Sequence, residues 1–102
     1  MQSQTFLLMV CALLLGVAVP LVFKLVPPNR IYGFRTATTL SRTDVWYRAN
    51  VFTGWALIAA AALAATVILF VPQLSSAAHG VIVVGLLLCA TVASFVYLKH
   101  IT

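Results

Sequence analysis

Three long uncharged apolar runs set the terms for what this chain can fold into. They extend from Thr5 to Phe23, from Val51 to Val71 and from Val81 to Leu98, and are ended by Lys24, by Pro72 and Gln73, and by Lys99. A helix needs roughly 17–25 residues to cross about 30 Å of hydrocarbon at 1.5 Å per residue, and each run has that length. None alternates with period two, so a membrane β-barrel is excluded. The reading is an all-α membrane protein with three transmembrane helices, because a helix satisfies its own backbone donors inside lipid. Composition removes the competing classes. Charged residues make up 7% of the chain and the mean hydropathy is +1.15, against about 25% charged in an ordinary soluble domain. A soluble enzyme, a disordered chain and a free nucleic-acid-binding domain are excluded. The net charge of +5 does not restore the last, since its bases have no soluble scaffold.

The first run does not read as a cleaved signal peptide. Met1-Gln2-Ser3-Gln4 carries no basic side chain, the run is too long for an h-region, and no small-x-small site precedes a soluble domain. The expected layout is one membrane domain over 1–102. Its first span covers about 5–23, a loop 24–41, a helix 42–71 that includes the second span, a second loop 72–80, and a third span about 81–98. Five of the six Lys and Arg residues fall between 24 and 50, and the 72–80 connection holds none. The positive-inside rule therefore puts the long loop in the cytoplasm, the N-terminus outside and the C-terminus inside. Trp46, Tyr47, Trp55 and Tyr97 are placed to form the cytoplasmic aromatic belt.

The long loop carries concentrated signals. Pro27 and Pro28 stop a helix, because neither can donate an N–H and each biases its predecessor away from helix. Gly33 supplies a backbone geometry closed to other side chains. Ser41 followed by Asp44 reads as a capping box starting a helix near Arg42, with Asp44 favoured by the helix dipole and paired to Arg48 at i,i+4. Four of the five bases are Arg (Arg30, Arg35, Arg42, Arg48), interleaved with Asn29, Tyr32, Thr36, Thr38, Thr39 and Asn50. Orientation needs charge alone and Lys would serve, whereas the Arg fork recognises carboxylates, phosphates and carbonyls. The expectation is an ordered Arg-rich loop over the helix ends, touching anionic lipid headgroups. Asn50, one turn from Trp46, is placed to hydrogen-bond that loop at the membrane boundary.

Small residues mark close helix packing in lipid. Three stripes stand out: Ala12 and Gly16 on the first span; Ala56, Ala60 and Ala64 on the second; Gly85, Cys89 and Ala93 on the third. They are assigned to packing within the bundle, and one of them is a candidate surface for homo-oligomerisation. Cys11 and Cys89 lie inside apolar runs and act as small hydrophobes.

Chemistry is scarce. No span contains Asp, Glu, Lys or Arg, which argues against proton-coupled transport. His79 and His100 lie about 30 Å apart along one helix and read as interfacial polar residues. No CxxC or HExxH spacing occurs, so no metal or cofactor is expected. The lone acid, Asp44, is spent on a cap and an ion pair, and the group Ser75, Ser76 and His79 has no acid. No enzyme is expected.

The loop also carries a resemblance. The run Val26-Pro27-Pro28-Asn29-Arg30-Ile31-Tyr32-Gly33-Phe34-Arg35-Thr36, then Thr39-Leu40, then Trp46-Tyr47-Arg48-Ala49-Asn50 resembles the signature of the SdpI family. Those are bacterial membrane proteins named for immunity to a sporulation-delaying peptide toxin. The family pattern is roughly P-x-N-x-x-Y-G-x-R-T, a Thr-Leu, then a Trp and an Asn. Residues 26–55 carry the match, so the chain looks like a short form holding the motif module, without the additional helices that precede it in the namesake. The resemblance implies a non-catalytic protein giving immunity or resistance by binding a membrane-active peptide toxin. In the namesake it also implies membrane capture of a transcriptional repressor. The expected ligand- or partner-binding residues are Asn29, Arg30, Tyr32, Gly33, Arg35, Thr36, Thr39, Trp46, Arg48 and Asn50. The alternative is a small accessory subunit of a larger membrane complex. No nucleic-acid partner is expected.

Overall fold

The computed structural model describes residues 2–29 and 33–102. Four helices follow one another: α1 (Gln2–Val22), α2 (Ala37–Ser41), α3 (Thr43–Phe70) and α4 (Ser76–Ile101). No strand occurs among the described residues. α1, α3 and α4 are each long and apolar enough to cross a membrane. α3 is the central helix, with α1 and α4 both packed along it and touching each other over a shorter length. At 28 residues α3 is about 42 Å long, more than the hydrocarbon needs, so it either tilts or projects into the headgroups.

The apolar core has two parts. Near the end remote from the long loop, Cys11 packs with Ala61, Ala64, Ile68 and Val83. Near the loop, Val45, Ala49 and Leu98 pack with Phe34 and Ile101. Between them Gly54 lets α1 come close. A Cβ there would lie 2.7 Å from Val22 Cγ2 and 3.0 Å from the Ala18 carbonyl oxygen. A side chain there would push Val22 aside and crowd the Ala18 backbone, so the α1–α3 crossing is closest with glycine at this position.

The helix ends differ from their sequence reading for local reasons. α1 stops before the prolines. Leu25 N–H donates to Pro20 O at 2.9 Å and Lys24 N–H to Leu21 O at 3.3 Å, the paired 6→1 and 5→2 bonds of a Schellman end. Lys24 holds the left-handed position with φ 59°, where glycine is the usual residue. The Ser41–Asp44 capping box is corrected. Ser41 is the last residue of α2 and its hydroxyl donates to Thr38 O at 3.0 Å. The extended N-cap position of α3 is Arg42, whose side chain makes no cap bond. The loop's capping box lies instead at Thr36 and Thr39, at the start of α2. Asp44 does sit in the first turn of α3, but its carboxylate pairs with Arg42 at 3.3 Å rather than with Arg48. Both partners are exposed, so the pair contributes about 1 kcal/mol at most.

α4 begins five residues before the expected third span. Ser75 Oγ accepts the Ala78 N–H at 3.1 Å and caps it, which shortens the 72–80 connection. His79 is buried inside that added turn. Its Nε2–H donates to Val71 O at 2.9 Å, tying α4 to the end of α3, while Nδ1 is buried without a hydrogen-bond partner.

Two of the three small-residue stripes do not pack internally. Ala60 and Ala64 are buried and Ala56 is half-buried, as expected. Ala12, Gly16 and Cys89 are exposed, Gly85 and Ala93 are half-buried, and a Cβ at Gly16 or Gly85 would meet nothing within 4 Å. The buried faces are instead Cys11, Ala18 and Leu21 on α1, and Val83, Ala90, Ser94 and Leu98 on α4. All faces of these helices are apolar, so small size alone does not say which face turns inward.

Candidate functional site

The segment joining α1 to α3 is fastened to α3 by two buried side chains one turn apart. Trp46 is fully buried, and its Nε1–H donates to Val26 O at 2.8 Å. It belongs to the interior and not to an aromatic belt; Trp55 is the exposed tryptophan. Asn50, 2% exposed, brackets one residue of the loop. Its Oδ1 accepts the Phe34 N–H at 2.6 Å, and its Nδ2 donates to Phe34 O at 3.3 Å and to Trp46 O at 2.9 Å. The amide thus pairs with both backbone groups of Phe34 as a neighbouring strand would.

Gly33 makes this approach possible. It has φ +105°, and a Cβ would lie 2.8 Å from Asn50 Oδ1 and 3.2 Å from the Trp46 ring. Thr39, fully buried, completes the fastening. Its hydroxyl oxygen accepts the Thr36 N–H at 2.7 Å and lies 3.1 Å from the carbonyls of Phe34 and Thr36. Thr36 Oγ1 in turn accepts the Thr39 N–H at 3.1 Å. The Phe34 ring is thereby driven between α3 and α4, edge-on to Phe95 with centroids 5.0 Å apart.

Of the residues expected to form a binding loop, the structure brings together Gly33, Thr36, Thr39, Trp46 and Asn50. Asn29 Nδ2 donates to Pro27 O at 2.8 Å, a local turn contact. Arg35 and Arg48 are exposed. Arg30 and Tyr32 lie outside the described residues. Among its described residues the motif is therefore spent mostly on bracing the backbone around Phe34.

Beneath Phe34 lies a cleft of about 270 Å³. Thr53 and Leu57 of α3 form its floor, Val17 and Leu21 of α1 one wall, and Thr91 and Ser94 of α4 the other. Thr53 donates to Ser94 Oγ at 2.8 Å, and Ser94 donates to Ala90 O at 2.8 Å. The sequence reading passed over Phe34, Thr53 and Ser94. Phe34 is one more aromatic in an apolar chain, and hydroxyls inside spans commonly bond their own helix backbone.

Three membrane-length helices, a side-chain bracket at one end and a cleft beneath it define a small multi-pass membrane protein whose distinctive region is the α1–α3 connection. The profile of the SdpI/YfhL protein family matches residues 25–98, from just after α1 through most of α4. The chain belongs to that family. No curated protein and no solved structure matches it.

Proposed function

We propose that this is an SdpI-type immunity or resistance protein that protects a bacterial inner membrane by binding a membrane-active peptide, without catalysis. One observation carries the reading. The motif residues Gly33, Trp46 and Asn50 are consumed in holding Phe34 over the cleft, an arrangement that shapes a receptor and, among the described residues, presents no reacting group. The loop faces the cytoplasm on the positive-inside rule, with the N-terminus outside and the C-terminus inside. Arg35 and Arg48, both exposed, then lie among anionic headgroups, each worth about 1 kcal/mol of surface attraction.

The test is expression in a peptide-sensitive host. The chain should raise survival against a membrane-active peptide toxin. Asn50→Ala and Arg35→Ala should abolish protection while membrane abundance, followed by an epitope tag, is retained. Unchanged sensitivity across a panel of such peptides refutes the proposal.

A second reading, a subunit of a homo-oligomer or of a larger membrane complex, is favoured by the stripes that internal packing leaves outside: Ala12 and Gly16 on α1, Cys89 on α4. Purification in mild detergent distinguishes it by bringing down stoichiometric copies or partners.

A further inference from the structure

The pair α3–α4 has a second concave side, turned from the cleft. Thr53 and Leu57 face the cleft, and Phe52 and Ala56, one residue earlier, lie about 100° round the helix. Two hollows line up on that side. On α3 they follow Phe52, Ala56, Ala59 and Leu63; on α4 they follow His100, Ala93, Cys89 and Leu86. Each set recurs at the three- and four-residue spacing of one helix face, so the two hollows form one groove. Alanines give it depth, and Trp55 and Val96, both exposed, stand at its rims. Its length matches one leaflet. Phe52 and Leu63 are separated by about 16 Å of helix, against about 15 Å for half of the hydrocarbon core.

The two ends of the groove differ in chemistry. The deep end, at Leu63 and Leu86, is apolar. The mouth, on the side of the α1–α3 connection, is basic and polar. His100 lines it, and the Phe52 ring stacks on the Tyr97 ring with centroids 4.4 Å apart and planes 3° from parallel. Arg48, exposed, is one turn before Phe52 on the same face of α3. Arg48 brings a permanent positive charge, and the His100 ring and Tyr97 hydroxyl bring N–H and O–H donors. The chain's lone acid, Asp44, is held by Arg42 at 3.3 Å.

We infer that this groove seats one anionic phospholipid, with an acyl chain along the alanines and the phosphate at Arg48, His100 and Tyr97. Three features select that occupant. A groove one leaflet deep suits an acyl chain, whereas a helix of a second copy would use a face across the full core of roughly 30 Å. The positive charge at the mouth favours an anionic headgroup, because a zwitterionic one already carries an amine beside its phosphate. The stacked ring pair joins α3 to α4, so the groove is formed before anything enters it. Such a site differs from the general attraction of basic residues for headgroups, since filling the groove abolishes it with every charge in place. It does not depend on the peptide-binding reading.

The test uses the full chain in phosphatidylcholine vesicles holding about one-tenth phosphatidylglycerol, with bromine on the acyl chains of one lipid or the other. Trp55, exposed at the rim, loses fluorescence on contact with bromine, while Trp46 is buried and supplies a constant background. Brominated phosphatidylglycerol should quench Trp55 as though enriched roughly fivefold over its share of the bilayer, the factor that one base near the surface supplies. Arg48→Gln should remove most of that enrichment. Ala59→Leu combined with Ala93→Leu, which fills the groove and leaves every charge, should remove it as well. Ala12→Leu, on the exposed face of α1, should keep it. Circular dichroism and the emission of Trp46 report whether each variant is folded. Quenching in simple proportion to bilayer composition for the unaltered chain overturns the inference. An enrichment that survives the filled groove is surface attraction alone and overturns it too. So does a Cys89–Cys89 disulfide formed in high yield on oxidation, which puts a second copy in the groove.

Discussion

Replacing Gly33 by alanine should release the α1–α3 connection without unfolding the helices. Two costs combine. The backbone at φ +105° is outside the regions open to an L-residue, a strain of about 1–3 kcal/mol. The new methyl would also lie 2.8 Å from Asn50 Oδ1 and 3.2 Å from the Trp46 ring. Neither neighbour gives way without losing a hydrogen bond, since Trp46 is held by Val26 O and Asn50 by Phe34 and Trp46. The Asn50 amide must therefore leave the Phe34 N–H, and an unpaired half-buried donor costs about 1–3 kcal/mol more. Together they favour the detached loop by about 3 kcal/mol, or roughly a hundredfold in the opening equilibrium. Hydrogen exchange at the Phe34 amide is the assay. Its protection should fall by about that factor, while amides in the middle of α3 and α4 change little. Asn50→Ala already removes the bracket, so Gly33→Ala added to it should cost less than Gly33→Ala alone, a non-additivity of at least about 1 kcal/mol. Unchanged Phe34 protection, or strictly additive effects, would refute the account.

Other substitutions should follow local geometry. Lys24→Gly removes a side chain from the left-handed end of α1 and should stabilise the chain by about 1 kcal/mol, read from thermal unfolding in detergent. Gly54→Ala should destabilise by about 1–3 kcal/mol in the same assay, because its Cβ meets Ala18 O and Val22. Gly16→Ala and Gly85→Ala, whose Cβ positions are open, should be neutral or slightly stabilising. If either instead abolishes an oligomer seen by cross-linking, the exposed stripes are contact surfaces between copies. Arg42→Ala should alter stability by less than about 1 kcal/mol, since its pair with Asp44 is exposed.

Much of the loop was legible as a set of residues and not as a set of bonds. Trp46, Asn50 and Gly33 stand out in the sequence because indole, amide and glycine are costly or conformationally special beside a membrane span. Their partners are backbone atoms of Val26 and Phe34, and backbone groups carry no sequence signal. The capping box was placed at Ser41 and Asp44 when two further residues, Thr36 and Thr39, could cap equally well. The choice depends on which residue takes the extended N-cap geometry: Thr36 does and Ser41 does not. Ser75 caps α4 five residues before the apolar run begins, and that added turn places His79 inside the helix.

The sequence by itself determined the three membrane-length segments, the crowding of basic residues into one connection, and membership of the SdpI/YfhL family. These depend on run length, charge position and residue identity, which are properties of one dimension. Only the tertiary structure decided which faces turn inward. Each long helix is apolar around its whole circumference, so burial leaves no amphipathic trace, and close fit at Gly54 and Ala60 selects the contacts. The tertiary structure also decided the direction of the hydroxyl protons. Thr53 of α3 gives its proton to Ser94 of α4 across 2.8 Å, a bond between two helices that no run length or charge position foretells, whereas Ser94 and Thr91 give theirs to carbonyls of their own helix.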